Sequence, residues 1–495
     1  MKHTKHQPNS SSRRRFFQFG AGAAGGASAL WLGKTHAAQG DDDPHAQLRA
    51  ARGARESLDK ATAFLSFMLD AYQQGATLRL VQSYSDQQTL GSTAFTYDNA
   101  LAILALLYRK KRDDLARARL LGDSFLYAQA NDPNYSDGRL RQGYYVGPFD
   151  LGFARTSEFF IRADGKVNLV GEPFFFVGSA VGDMAWAAIA LAQLHAFTRD
   201  ARYLDGAVKL GRWIIDNAYE TRGLGGYTFG VDGNNNRLLF KSTEHNIDVY
   251  GLFTNLLAPL TGDRTWVEFG QHALSYAKTV WNTQDEFFFT GSGGGDADLI
   301  EGIPESPLQP PRFPEDPQSW SYLALLDNTY AASIDWAKTN LATTDTPQSR
   351  NASFKGNLRF SGVTFSNFSL NATEPPNQFD APPSADAVWF EGTAHMAAAL
   401  FARKLPPNRD LPTFYGDVAT ALTYLDNIRW AQDVLGKGQT AGGKAIPEGN
   451  GVVAASSPLN TGYGFSYFPN LHVGATSWYL IAALLGNPFQ LGRRG

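Results

Sequence analysis

Six stretches of the chain share one pattern: a short polar or aromatic head, then a run in which nearly every position is apolar. They are Thr96-Tyr97-Asp98-Asn99 before ALAILALL, Val181-Gly182-Asp183 before MAWAAIALAQL, and Thr243-Glu244-His245-Asn246 before IDVYGLFTNLL. Further along come Asp316-Pro317-Gln318-Ser319-Trp320 before SYLALL, Trp389-Phe390-Glu391-Gly392-Thr393 before AHMAAALFA, and His472-Val473-Gly474-Ala475-Thr476 before SWYLIAALL. A helix that is apolar almost all round is buried on more than one side. The intervening segments 51–72, 114–130, 201–218, 264–281 and 413–434 read differently. In 202–217, Tyr203, Ala207, Leu210, Ile214 and Ile215 recur at three- to four-residue intervals, with Asp205, Lys209, Arg212 and Asp216 elsewhere. That is the pattern of a helix with one face in the core and one in water.

With Asp98, Asp183, Glu244, Gln318, Glu391 and His472 as markers, the heads recur at intervals of 85, 61, 74, 73 and 81 residues. A loose repeat of this kind decides the fold class. Six buried helices alternating with amphipathic ones predict an all-α protein of two layers, the buried helices side by side round an axis and the others covering them. Long Gly-, Pro- and aromatic-rich stretches separate them at 131–178, 223–241, 287–315, 353–386 and 436–470. Loops this long are uncommon unless they serve a function. Within them 361–370 alternates like a short strand, and 225–239 reads as a hairpin about Asp232-Gly233. No Pro/Ser-rich linker divides the body, so 39–495 reads as a single domain. On this period and pattern, over most of residues 50–490, the chain resembles the (α/α)6 toroid, or barrel, of six-hairpin glycosidase-like proteins, with small β-hairpins in its long loops.

The chain has 495 residues, 43% hydrophobic and 18% charged, the balance of a globular protein. With 44 Lys+Arg against 47 Asp+Glu there is no basic excess to suit a nucleic-acid partner. The absence of cysteine excludes disulfides, thiol nucleophiles, iron–sulfur clusters, Cys-ligated zinc and a lipoprotein anchor. Residues 1–38 hold six basic and no acidic residues, a Gly/Ala-rich apolar stretch at 16–32, and small residues at Ala37 and Ala38. This is the order of a secretory signal. The run Ser12-Arg13-Arg14-Arg15-Phe16-Phe17-Gln18 resembles the bacterial twin-arginine motif, which implies the twin-arginine export machinery as a partner and a periplasmic or secreted product exported already folded. Loss of the leader moves the formal charge from −3 to −9, a surface that gives no help in binding anionic membranes or polyanions. No later run reaches 18 consecutive apolar residues, so no membrane association is expected after cleavage.

In such a ring the inner helices run in one direction and their N-termini share one face, each offering unpaired N–H groups and a partial positive charge. The heads would then converge, bringing Asp98, Asp183, Glu244, Asp248 and Glu391 to one funnel as candidate catalytic carboxylates. Tyr97, His245, Asn246, Gln318, Trp320, Trp389 and His472 would bind substrate. Carboxylates and amides hydrogen-bond hydroxyls, and aromatic rings stack on C–H faces, which suits a neutral sugar. The six-hairpin resemblance implies a carbohydrate substrate and a site at the same end of the inner helices. Glycosidic cleavage commonly uses one protonated and one ionised carboxyl. The apolar run Val388-Trp389-Phe390 ahead of Glu391 favours Glu391 as the acid by raising its pKa, although the helix terminus pulls the other way. Glu244 and Asp248, four apart, share a helical face and would serve as base and sugar ligand; Asp98 and Asp183 are further candidates for the base.

The expected activity is therefore glycoside hydrolysis of a neutral poly- or oligosaccharide. A polysaccharide lyase with His245, Asn246 and Tyr250, and a sugar epimerase or isomerase with His245 and His472, are the alternatives. No cofactor is expected. No histidine–carboxylate spacing suits zinc. The loop from Gly293 through Asp296 and Asp298 to Glu301 lacks the calcium-loop pattern. Glu448, in the loop before the last inner helix, either reaches over the funnel or is exposed.

Overall fold

The computed structural model describes residues 44–72, 74–87, 90–147, 149–150, 155–156, 178–303, 311–378, 380–403 and 411–491. The expected leader, 1–38, lies outside the described residues. Packing divides the chain into two compact units, Met1–Glu56 and Ser57–Gly495. The described part of the first unit is the opening of a helix; the second unit holds the elements discussed below.

Among the described residues, twelve of the helices alternate between two layers. The inner ones are α2 (Thr96–Arg109), α4 (Val181–Thr198), α6 (Thr243–Tyr250), α8 (Asp316–Leu325), α10 (Phe390–Ala402) and α12 (Val473–Ala483). The outer ones are α1 (Pro44–Leu69), α3 (Arg112–Asn131), α5 (Ala201–Ala218), α7 (Thr265–Thr279), α9 (Ala332–Asn340) and α11 (Leu411–Val434). Each inner helix packs on the next, and α12 packs back on α2, so contacts run round a ring of six. The outer helices α3, α5, α7, α9 and α11 pack on the inner helices that precede them. Ser57 ties α1 to α12 through the Tyr479 hydroxyl at 2.7 Å. The architecture is the mostly helical (α/α)6 toroid that the repeat predicts. Among the described residues the strands form only small two- and three-stranded sheets in the loops. No helix among them is long and apolar enough to cross a membrane.

Burial follows the sequence pattern. Every residue of α12 is buried, as is every residue of α10 from Phe390 to Leu400. α4 is buried from Val181 to Leu194 apart from Asp183. Trp186, Trp320 and Trp478, one each from α4, α8 and α12, meet at ring separations of 4.9, 5.8 and 5.9 Å. Phe489 closes on Trp186 and Trp320. At one end, inner and outer helices join by two-residue turns: Lys110 and Arg199 take left-handed φ of 58° and 62°, ending α2 and α4 just before α3 and α5. At the other end lie the long loops. The expected hairpin pairs Gly230–Val231 with Arg237–Leu238; of the stretch 361–370 expected as a strand only the beginning is one, Phe360–Val363 pairing with Ala342–Asp345.

The repeat has a sharper register than the markers suggested. Counting from Thr96, Val181, Thr243, Glu315, Phe390 and Val473, the fourth side chain of each inner helix accepts a hydrogen bond from the backbone N–H of an incoming loop segment. Asn99 accepts from Val81 (2.7 Å), Met184 from Leu140 (3.3 Å), Asn246 from Tyr227 (2.8 Å), Gln318 from Phe288 (2.8 Å), Thr393 from Val363 (3.1 Å) and Thr476 from Val452 (2.9 Å). These bonds satisfy buried backbone amides, and they pin each loop to its helix.

Candidate active site

Two residues before each anchor stand Tyr97, Gly182, Glu244, Asp316, Glu391 and Gly474. The four with side chains lie at one end of the ring, within reach of one another. Glu391, 1% exposed, is the centre. Tyr97 donates to its Oε1 at 2.8 Å, and the Trp478 indole N–H donates in turn to the Tyr97 oxygen at 2.9 Å. His395 Nε2 faces Oε1 at 3.7 Å and His472 Nδ1 faces Oε2 at 3.5 Å. Burial works to raise the Glu391 pKa, but His395, His472 and Tyr97 together outweigh it and hold the carboxyl below its ordinary value. The apolar residues ahead of Glu391 in sequence favoured a protonated acid; two imidazoles and a phenol reverse that.

Both imidazoles are themselves bracketed by acids. His395, fully buried one turn beyond Glu391, places Nδ1 2.9 Å from Glu315 Oε2 and 3.5 Å from Asp316 Oδ1. Trp320, Trp389 and Trp478 surround its ring at 5.0, 5.3 and 4.4 Å. Burial pulls its pKa down, and the bonds to Glu315 and Glu391 carry it above the ordinary value. His472 Nε2 lies 3.2 Å from Asp98 Oδ1, and the Tyr84 ring stacks on the imidazole at 4.2 Å. Its pKa is raised as well, Asp98 and Glu391 outweighing burial. His472 Nδ1 also lies 3.3 Å from the Ala475 N–H at the start of α12.

Four other carboxyls are driven the other way. Burial, then repulsion from Glu391 and Glu315, raises half-buried Glu244 to about 7, with His395 opposing. Asp183, also half-buried, is raised to about 7, by burial and then by Glu244 and Asp98, against bonds from Gln142 and the Tyr97 backbone. Asp248 and Asp316 go well above the carboxylate range, by burial first and by Glu244 next. The Trp186 indole lowers Asp248, yet neither Asp248 oxygen makes a full hydrogen bond. The charges acting most on these four and on Glu391 are one another and the two imidazoles; no lysine or arginine stands among them. Burial pushes the Tyr84, Tyr97 and Tyr467 hydroxyls well above their ordinary value, so they remain O–H donors.

Of the residues singled out in the sequence, Asp98, Asp183, Glu244, Asp248, Glu391, Tyr97 and His472 come together in this cluster. Others do not serve it. Asn246 gives its amide to Tyr227 O and Ser242 O, and Gln318 gives its own to Phe288 O and Pro314 O, so both are loop anchors. Trp320 and Trp389, 1% and 2% exposed, are core. His245 packs on Phe229 at 4.6 Å, with burial lowering its pKa to about 3. Its ring occupies the space over Gly182, where a Cβ would come within 2.5 Å. It therefore forms no histidine pair with His472 at the acids. Glu448 is exposed beside Lys437, and Asp298 is bonded to Lys241, Leu224 N and Gly294 N. Tyr84, Glu315, Asp316, His395 and Tyr467 were not anticipated. Asp316 stood in a marked head but two places from its marker, and His395 lies four after Glu391 on a helix read as apolar almost all round. Glu315, Asp316 and His395 each bring one ligand atom within 4.8 Å of the others and could hold a metal ion; the Glu315–His395 hydrogen bond already occupies that space.

No protein-family model matches the chain, and no curated protein matches it. Solved structures do. An unsaturated glucuronyl hydrolase from Streptococcus agalactiae is 12% identical, with 88% of this chain and 91% of that one covered at a TM-score of 0.52. A glycosidase is 11% identical, with 90% and 98% covered at 0.51. A D-mannose isomerase is 11% identical, with 87% and 96% covered at 0.54. At this identity the likeness speaks of architecture: the chain has the all-α six-hairpin glycosidase-like fold.

Proposed function

We propose that the protein is a carbohydrate-active enzyme, and within that class a glycoside hydrolase acting on a neutral poly- or oligosaccharide outside the cytoplasm. The export reading rests on the twin-arginine-like run at 12–18. The hydrolytic reading rests on one observation: a single cluster holds Glu391 ionised while raising Glu244 to about 7. Carboxyls whose environments drive their pKa values apart are what glycosidic cleavage requires. Glu244, half-buried and raised to about 7, keeps part of its proton up to neutrality and would give it to the leaving oxygen. Glu391 is the ionised partner, activating water or attacking the sugar. Asp98 and Glu391 favour the protonated form of His472 against burial, and Asp183 is left to bond a hydroxyl. The excess of carboxyls over cations disfavours a uronate substrate, which weighs against the lyase.

The isomerase reading draws on His472, which sits between Asp98 and Glu391. Its second histidine would have to be His395, which is fully buried and closed off by three tryptophans. That favours the hydrolase. The test is to incubate the purified protein with a panel of neutral glycans. New reducing ends without ultraviolet absorbance support the proposal. An unsaturated product, or interconversion of free sugars only, overturns it.

A further inference from the structure

The loops at the candidate site carry aromatic residues that the acid cluster does not use. Ahead of α6, Phe240 is 40% exposed, and its ring packs at 4.5 Å on Phe229, which in turn lies 4.6 Å from His245. Leu239 and Leu299 beside it are about as exposed. The platform is held from below: Gly294 sits so close to the Leu239 carbonyl that any side chain would collide with it. Ahead of α12, Phe465 is 38% exposed and edge-on to Tyr467 at 5.6 Å. Tyr467 stacks on Trp389 at 5.6 Å and lies 6.2 Å from His472. Here too the backbone is fixed, with Thr461 Oγ1 donating to the Phe465 carbonyl at 2.7 Å and Ser366 Oγ to the Thr461 carbonyl at 2.9 Å.

The order of the ring gives these two platforms their meaning. Contacts run α2, α4, α6, α8, α10, α12 and back to α2, so α6 and α12 are the third and sixth members and face each other across the axis. With neighbouring helices about 8–10 Å apart, opposite axes in such a ring stand about 16–20 Å apart, a span of several sugar rings. The first platform reaches His245, the sequence neighbour of Glu244, and the second reaches His472, 3.5 Å from Glu391.

We infer that Phe240 and Phe465 are distal sugar-stacking subsites on opposite sides of the acid cluster, so that the ligand is an extended neutral glycan chain lying across the mouth of the ring and cut at internal bonds. Exposed aromatic faces bind sugar C–H faces without needing a charge. This rests on the hydrolase reading for the cutting, but chain binding can be measured apart from it.

The experiment is affinity gel electrophoresis of the whole protein through xylan, galactomannan, laminarin and hydroxyethylcellulose, with wild type, Phe240→Ala, Phe465→Ala, Phe465→Trp and Glu391→Gln. At least one polysaccharide should retard the wild type and Glu391→Gln alike. Each alanine variant should weaken retardation about three- to ten-fold, the scale of one aromatic contact, and Phe465→Trp should keep it. On the polymer that is cleaved, the alanine variants should raise KM with kcat nearly unchanged and leave cleavage of a disaccharide as it was, and the wild-type digest should release shorter chains early. No retardation by any polymer overturns the inference, as does wild-type retardation in both alanine variants. Retardation without cleavage leaves the inference standing and removes the hydrolase reading instead.

Discussion

The Tyr97 hydroxyl donates to Glu391 Oε1 across 2.8 Å, joining the first turn of α2 to the first turn of α10. The Trp478 indole fixes the same hydroxyl from behind, so its proton points at the carboxylate. A hydrogen bond to a charged group contributes about 1.5–3 kcal/mol, so Tyr97→Phe should lower kcat/KM by about ten- to a hundred-fold. Losing the donor also lets the Glu391 pKa rise, which moves the acidic limb of the pH–rate profile upward. A loss of rate with an unmoved acidic limb would show that Tyr97 touches substrate rather than tuning Glu391.

Glu244 and Glu391 are given opposite tasks, and leaving-group chemistry separates them. An acid that protonates a leaving oxygen contributes about 10²–10⁴-fold for a poor leaving group and little for a good one. Glu244→Gln should therefore lose that much on a natural glycoside and nearly nothing on an aryl glycoside with an acidic phenol. Glu391→Gln should be inactive on both. Equal losses on the two substrates in Glu244→Gln would exchange or cancel the roles.

The fold was legible because the inner helices are apolar all round and the outer ones are not, a difference that burial imposes on composition whatever the loops do. The candidate site was legible only in part. Choosing the most polar residue of each head as its marker mixed four structural positions: the anchor (Gln318), the residue before it (Asp98, Asp183), the one two before (Glu244, Glu391) and the one four before (His472). The true register runs through Met184 and Thr393, whose anchoring bonds have no sequence signature. His395 lay hidden because a buried histidine among alanines looks like core until its partner Glu315, 80 positions away, is known. The short outer helix α9, nine residues against twenty-four in α11, offered too few turns for a period to emerge.

That register bears on Asn246. Its side-chain oxygen accepts from the Tyr227 N–H and its nitrogen donates to the buried Tyr227 carbonyl and the partly buried Ser242 carbonyl. Asn246→Ala leaves those groups unsatisfied, at about 1–3 kcal/mol for such a loss. Thermal unfolding should shift down by several degrees, while KM for any substrate stays within error. A raised KM at unchanged stability would return Asn246 to the sugar-binding residues.

Acid–base balance in the cluster fixes how stability follows pH. Asp183 and Glu244 are raised to about 7 in the folded chain from ordinary values of 3.8 and 4.5, so their contribution is intact below those values and is lost as pH rises towards 7. His395 and His472, also raised, lose theirs as pH rises through their folded values. Glu391, held low, works oppositely and loses its contribution only as pH falls through its depressed value. The protein should thus melt at a higher temperature at pH 5 than at pH 8. Asp183→Asn, which stays uncharged throughout, should flatten that slope. A higher melting temperature at pH 8 than at pH 5 would reverse the assignment of these groups as protonated.

Gly474 offers the sharpest separation of geometry from stability. A Cβ there would come 2.6 Å from His472 Cε1, 2.7 Å from Asp98 Oδ1 and 2.8 Å from Glu391 Oε2, so one added methyl pushes apart three side chains of the cluster. At Gly182 the same methyl would meet the His245 ring at 2.5 Å, away from those three. Both glycines lie in the first turn of an inner helix, where alanine suits the backbone. Overpacking a buried site costs about 1–3 kcal/mol, so each variant should be destabilised to a similar degree. Only Gly474→Ala should also lose activity heavily, because a displacement of about 1 Å at reacting groups can cost about a hundred-fold. Comparing the two at a temperature where both are fully folded isolates the geometric effect. Equal residual activity in the two variants would mean that the contact among Asp98, His472 and Glu391 does not matter to the chemistry.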